Sequence, residues 1–429
     1  MYADLLTIID RLNPWLKDPS QPIVPESYIP REQAEQLLSP EWDNLWLILT
    51  GPRQAGKTTL GLYLSHTLIQ QGRFDQLLYL NCDYLEIRQW LRSAVFIDEA
   101  KEFLQLKNPI IFIDEVQRLE NPGLVLKQIA DLKLPIKMLA SGSSQLEIKS
   151  KVQEFLTGRQ LESLVLPLSY VELPQVNTDN LLYGCYPAIV KSNNKAILLQ
   201  QLYQDYINKD IIEILKVRNA DILQKLLGLV AHSSGQLVNY QQLASDSQVT
   251  IATVQHYLGI LEATYVIYKI KPFVGNKRKE ITSNPIYYFI DNGFRNQTLR
   301  NFAPLEQRTD VGFLAENAVF QELLKFKTQN FYDFDLHYWR TNSGAEVDFI
   351  LYKNTDYFIP IEVKYQHMKK PQVTRAFRSF VEAYQPKFGI FVTKDFFGKS
   401  QVENCEIHFV PLAQLTKVFS VLKQALGFS

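Results

Sequence analysis

The chain has 429 residues, 46% of them hydrophobic and 12% aromatic, with 45 basic and 45 acidic groups and no net charge. That length exceeds one ordinary core and predicts two or three domains, while the balanced charge excludes a protein that coats polyanions by bulk electrostatics. With no apolar run of membrane-spanning length, no secretion-signal layout at the N-terminus and three separated cysteines (Cys82, Cys185, Cys405), a cytoplasmic protein with no membrane partner is expected.

Residues 1–30 open on an amphipathic stretch (Leu5, Leu6, Ile8, Ile9, Leu12) and then meet Pro14, Pro19, Pro22, Pro25 and Pro30. Proline at that density stops a long helix, so a short helix and an extended linker are predicted. A second helix over residues 31–38 leads to an apolar strand over 45–50. There follows Gly51-Pro52-Arg53-Gln54-Ala55-Gly56-Lys57-Thr58-Thr59, a complete G-x-x-x-x-G-K-[ST] phosphate loop with a strand before it and a helix, 58–71, after it. Gly51 and Gly56 let the backbone amides face an anion, and the start of the helix adds its positive end. Lys57 reaches the β- and γ-phosphates of a nucleoside triphosphate, and the Thr58 hydroxyl holds Mg²⁺.

Further strands are predicted at 77–81, 110–114, 137–141 and 164–167, with helices between them, including 123–132. Such alternation predicts an α/β unit: a parallel sheet with helices on both faces and a ligand at the carboxyl ends of its strands. The strand Ile110-Ile111-Phe112-Ile113 delivers Asp114 to a Mg²⁺ shell and Glu115 to the attacking water, which favours hydrolysis over passive binding. Ser143 or Ser144, at the tip of the next strand, is a candidate sensor of the γ-phosphate. Arg159 is a candidate for stabilising transition-state charge, in cis or across a subunit boundary; an ordinary surface arginine fits the same spacing.

From about residue 173 the pattern turns helical. Two short helices, 237–243 and 250–261, flank the turn Ser245-Asp246-Ser247-Gln248, and strands at 265–270 and 285–290 follow, with a basic loop (Lys277, Arg278, Lys279) between them. That layout is a winged helix over about 236–292, whose second helix would present Thr253, Gln255, His256 and Tyr257. A packing module that touches no DNA fits equally.

A helix at 311–324, strands at 337–341, 346–351 and 358–365, a helix at 373–384 and a strand at 388–393 complete the chain. Side-chain alternation puts Glu362 and Lys364 on one face of their strand, with Asp348 on the strand before. Two hard carboxylates suit Mg²⁺, Glu316 on the preceding helix could complete the site, and Lys364 could activate a nucleophilic water. Lys369, Lys370, Arg375 and Arg378 could track a phosphate backbone or simply be solvated.

In order and spacing these elements look like an AAA-type ATPase. More closely, the chain resembles prokaryotic ATPases that join an AAA module to a C-terminal domain of uncharacterised function with a restriction-endonuclease-like core. The matching pieces are residues 51–59, 110–115, 141–144, Gly158-Arg159, 291–295, 312–323 and 338–364; Gly184-Cys185-Tyr186-Pro187 departs from the family's Gly-Gly-Tyr-Pro. The resemblance implies domains at 31–175 (AAA), 176–304 (helical, with the winged helix) and 305–429 (nuclease-like). It implies ATP and Mg²⁺ as ligands, DNA as a partner and a nucleotide cycle that gates the nuclease-like module; AAA modules often form rings, yet the resemblance does not compel a homo-oligomer. The alternative is a nucleotide-controlled interaction protein with an inactive nuclease-like core.

Overall fold

Two sheets organise the chain in the computed structural model, which describes residues 2–92, 96–132, 134–143, 158–214, 219–273, 284–341 and 343–428. They belong to two compact units, Met1–Pro167 and Leu168–Ser429. The first unit runs α1 (Tyr2–Leu12), α2 (Gln33–Leu37), β1 (Trp46–Thr50), α3 (Lys57–Gln70), β2 (Gln76–Asn81), α4 (Leu85–Trp90) and α5 (Phe96–Leu104). Then come β3 (Pro109–Asp114), α6 (Pro122–Asp131), β4 (Lys137–Gly142) and β5 (Gln160–Leu164). All five strands are parallel, in the order β2-β3-β4-β1-β5.

β1, β3 and β4 are buried along their whole length, as strands covered on both faces must be. Alternate residues serve the two faces. Ile48, Ile111 and Ala140 pack with α1 and α6, while Leu47, Phe112 and Leu139 pack with Leu60, Leu64 and Leu68 of α3. The N-terminal segment is not the separate linker expected. Asn13 exchanges hydrogen bonds with the Tyr79 backbone (2.9 and 2.6 Å), and Trp15 Nε1 donates to Leu77 O at 2.9 Å. Together they satisfy the exposed edge of β2. The fifth strand is also displaced, to Gln160–Leu164 from the predicted 164–167. As an edge strand it pairs with β1 alone, so Gln160 and Glu162 are tolerated in it, and the apolar Val165 and Leu166 lie just beyond.

The second unit begins with helices α7 (Thr178–Tyr183), α8 (Pro187–Lys191), α9 (Lys195–Gln204), α10 (Ala220–His232), α11 (Tyr240–Ser247) and α12 (Ile251–Ala263). It continues with β6 (Ile267–Pro272), β7 (Ile286–Phe289), α13 (Asn292–Leu299), α14 (Val311–Gln329), β8 (Asp335–Arg340), β9 (Glu346–Asn354) and β10 (Tyr357–Lys364). Last come α15 (Arg375–Tyr384), β11 (Phe388–Thr393), β12 (Gly398–Val402), β13 (Cys405–Pro411) and α16 (Phe419–Ala425). Its strands form one sheet ordered β12-β13-β11-β10-β9-β8-β6-β7. β6 and β7 pair antiparallel behind α11 and α12, yet β6 also pairs in parallel with β8 through Lys271/His337 and Pro272/Tyr338. The chain forms two compact units that divide after Pro167, and the two strands of the expected wing join the C-terminal sheet, so the regions expected at 176–304 and 305–429 share one unit.

Candidate functional sites

β1 lies between β4 and β5, while the chain leaving it crosses to β2 at the far edge. That reversal of strand order opens a crevice at the carboxyl end of β1, where the phosphate loop sits. The loop is left-handed at Gly51 (φ +138°), Gln54 (φ +59°) and Gly56 (φ +98°). A Cβ on Gly51 would stand 2.1 Å from Val165 O, so only glycine fits there. α3 starts at Lys57 with no side-chain cap, leaving its first-turn amides turned toward the loop. Buried Arg31 pins the loop from behind, donating to Ala55 O (2.8 Å) and Leu166 O (2.6 Å).

Lys57 Nζ donates to the carbonyls of Gly51 (3.0 Å) and Pro52 (2.8 Å) in its own loop. Thr58 Oγ1 donates to Asp114 Oδ2 at 2.7 Å, and Tyr79 OH donates to the same oxygen at 2.9 Å. Ser141 donates to Asp114 Oδ1. Asp114 is thus an acceptor for three hydroxyls in a buried position. Thr58 and Asp114, one from the loop and one from β3, are a hydroxyl and a carboxylate already in contact, and this oxygen-only donor set fits Mg²⁺. Glu115 follows in the left-handed region (φ +56°). Burial pushes its carboxyl up, Lys57 opposes the shift and Asp114 adds to it. Gln117 Nε2 donates both to Glu115 Oε2 and to Ser143 Oγ, the latter at 3.0 Å. The predicted Glu115 and Ser143 are therefore brought together with Lys57, Thr58 and Asp114. Ser144 lies outside the described residues.

Arg159 does not join them. It precedes β5, its carbonyl accepting from Trp46 N at the opening of β1, while the loop follows Thr50, opposite Leu164. Five strand residues put it about 16 Å from the loop end of the sheet. Its guanidinium pairs with Asp131 at 2.9 Å, half exposed. A cis role at the nucleotide is excluded by that placement.

The C-terminal carboxylates do gather. Val347 and Phe349 are buried in the core while Asp348 takes the other face of β9, where its Oδ2 accepts from Val363 N of β10 at 2.6 Å. Lys364 Nζ sits 2.8 Å from Glu362 Oε1. Glu362 Oε2 is buried and among the described residues meets no donor at full hydrogen-bonding geometry, although the Thr374 side chain helps to lower the carboxyl. Glu316, on α14, accepts from Tyr288 OH at 2.6 Å. Burial raises all three carboxyls; Glu316 and Glu362 raise Asp348 further, and Lys364 opposes the rise at each. Among the described residues no three His, Cys, Asp or Glu are arranged as a metal cage. A cation here would rest on Asp348 and Glu362 with water completing its shell, and Glu316 as a direct third ligand is not preformed. Lys369, Lys370, Arg375 and Arg378 are exposed. On α12, Gln255 and His256 are exposed but Tyr257 is in the core, so it is not presented as expected. Lys277, Arg278 and Lys279 lie outside the described residues.

Residues 43–174 match an AAA domain. Residues 177–305 match a domain of unknown function (DUF8612), and residues 311–415 match a second (DUF4143). Over 413 residues the chain is 23% identical to an uncharacterized protein of Haemophilus influenzae, spanning 90% of this chain and 98% of that one. It is 25% identical over 340 residues to an uncharacterized protein of Mycobacterium tuberculosis, spanning 78% and 73%. Among solved structures it is similar to the replication initiator DnaA bound to AMPPCP and single-stranded DNA. That match has 14% identity and a TM-score of 0.30, over 56% of this chain and 91% of that one. For C. elegans PCH-2 the figures are 16% and 0.26, over 60% and 68%.

Within the AAA domain, Tyr79, Ser141 and Gln117 are the site residues that sequence reasoning left without a role. Tyr79 looks like any apolar-strand aromatic until β2 is known to neighbour β3. Gln117 leaves a faint trace, a lone amide between Val116 and Leu119 just after the carboxylate pair. Tyr288, stacked on Phe320 at 4.8 Å, left none. The two segments around Cys185 and Asp291, which had no expected role, also meet. Asp291 accepts from Cys185 N at 2.7 Å and from Gly293 N at 2.8 Å, and Tyr186 stacks on Phe294. They join α8 to α13 and serve packing. No helix among the described residues is long and apolar enough to cross a membrane.

Proposed function

We propose that the AAA domain binds Mg²⁺-ATP in the loop after β1 and hydrolyses it. The observation that carries this reading is the Thr58–Asp114 hydrogen bond at 2.7 Å, the loop hydroxyl and the strand-tip carboxylate meeting where a phosphate-bound Mg²⁺ belongs. Thr58 and Asp114 would hold the Mg²⁺, which when bound would supply positive charge to offset the charge of the phosphates. Lys57 leaves its own loop carbonyls for the phosphates, and the amides of residues 51–59 hold the oxygens. Glu115 polarises the attacking water and Ser143 contacts the γ-phosphate. Arg159, at the end of the strands opposite the loop, acts on a neighbouring copy in a homo-oligomer. Lys57→Ala should abolish binding of an ATP analogue. Glu115→Gln should bind normally and lose turnover by about 100-fold or more. Phosphate release equal to wild type in both variants refutes the assignment.

A second reading is favoured by the gathering of buried Glu362 with Lys364, 2.8 Å away, and with Asp348, whose carboxyl Glu362 raises. It makes the C-terminal unit a Mg²⁺-dependent, DNA-directed nuclease with a restriction-endonuclease-like core, gated by the nucleotide cycle. Gln255, His256 and the Lys369–Arg378 cations would touch the DNA, the former from a winged helix. Plasmid or oligonucleotide with Mg²⁺ or Mn²⁺ and ATP should be cut, and Asp348→Ala or Glu362→Ala should stop it. Equal inertness of wild type and variants leaves the alternative, an ATP-controlled interaction protein with a vestigial core.

A further inference from the structure

We propose that Gln117 positions Glu115 and couples it to Ser143, so that contact of a γ-phosphate with Ser143 is passed to the carboxylate that polarises water. The inference rests on the ATPase reading above. Glu115 and Ser143 follow neighbouring strands, β3 and β4, and Gln117 is the side chain that joins them. A carboxylate only accepts, so the amide nitrogen rather than the amide oxygen must face Glu115. The same nitrogen carries a second hydrogen, and that one reaches Ser143 Oγ at 3.0 Å. Ser143 therefore accepts from Gln117, which leaves its own hydroxyl hydrogen to donate elsewhere. An anionic oxygen at the loop is the acceptor that direction suits.

The backbone holds Gln117 to this task. Glu115 is left-handed, and the chain then makes a tight turn over Val116–Arg118, closed by Arg118 N to Glu115 O (2.9 Å) and Leu119 N to Val116 O (3.1 Å). That turn brings residue 117 back over residue 115. The Gln117 side chain is only 9% exposed, so bulk water does not compete freely for its two bonds. Its Oε1 is buried without a hydrogen-bond partner among the described residues. A buried acceptor left open costs stability unless something meets it. A water held at Glu115 would do so, giving Gln117 a hand on the nucleophile as well as on its base.

Two near-isosteric replacements test this. Gln117→Glu keeps the shape but removes both N–H donors, and Gln117→Met removes them without adding charge. Each should lower kcat for ATP hydrolysis by about 10- to 100-fold, while the Kd for a non-hydrolysable ATP analogue stays within about 2-fold of wild type. Ser143→Ala should lower kcat as well. Combined with Gln117→Met it should be no slower than the worse single variant, since both break one connection. A loss in Gln117→Glu alone makes the effect one of charge and overturns the proposal. So does an unchanged kcat, an additive double variant, or analogue binding that weakens in step with kcat. A wild type that fails to hydrolyse ATP overturns this proposal and the ATPase reading together. A hydrolysing wild type with normal Gln117 variants overturns only the coupling.

Discussion

Asp291 ties together two segments of the second unit that are distant in the chain. Its carboxylate, 2% exposed, accepts from Cys185 N, from Gly293 N and from Phe294 N at 3.3 Å, capping α13 and holding the segment before α8. Burial pushes the carboxyl up to about 6 although the amides pull it down. Asp291→Ala leaves those amides unmatched and should cost roughly 2–4 kcal/mol, read from the urea midpoint. Asp310 behaves oppositely. Burial raises its carboxyl, but hydrogen bonds from Arg308 and Arg295, 2.8 Å each, outweigh burial and hold it down at about 2. Its folded value is below its unfolded one, so its contribution to stability is complete above the ordinary carboxyl range. That contribution is lost as pH falls through about 2. Denaturant melts between pH 5 and pH 2 should show this acid loss in wild type, and Asp310→Asn should remove that part of the slope.

At the scale of elements, α3 matters because its first turn carries Lys57 and Thr58. It can lie against β3 because Gly61 has no side chain: a Cβ there would stand 2.5 Å from the Phe112 ring. Gly61→Val should force helix and strand apart, costing about 1–3 kcal/mol by overpacking. The displaced first turn should also weaken ATP-analogue binding, measurable by titration calorimetry. β1, α3 and β3 were legible because an apolar run, a glycine-bounded turn and a carboxylate pair follow each other at fixed spacing. β11 was legible to the residue, as a continuous apolar stretch between Gln385-Pro386 and Asp395. β12 and β13 were not read: β12 is an exposed edge strand, Gly398–Val402, with too few apolar residues to signal a period. β5 was misplaced for the same physical reason, since its polar residues are acceptable only at an edge.

For the whole molecule, a division into two compact units after Pro167 predicts unfolding that departs from one cooperative step. A saturating ATP analogue should move the transition of Met1–Pro167, by about 2.7 kcal/mol at 100-fold over Kd, and leave the other in place. Scanning calorimetry with and without the analogue, in wild type and in Lys57→Ala, checks this; equal movement of both transitions in wild type refutes it.

The phosphate loop, the Asp114-Glu115 pair and the alternation around Asp348, Glu362 and Lys364 were written in the sequence. Each depends on short-range geometry: a turn that needs glycine, a strand that ends, side chains that alternate. What needed the tertiary structure was every relation between residues distant in the chain. Strand order put Ser143 beside Glu115 through Gln117, and the register of β5 on β1 left Arg159 at the end of the strands opposite the loop. It brought Tyr288 onto Glu316, and it merged the expected wing into the C-terminal sheet. Those outcomes follow from which strands pair and which faces bury, and a local pattern does not specify its distant partner.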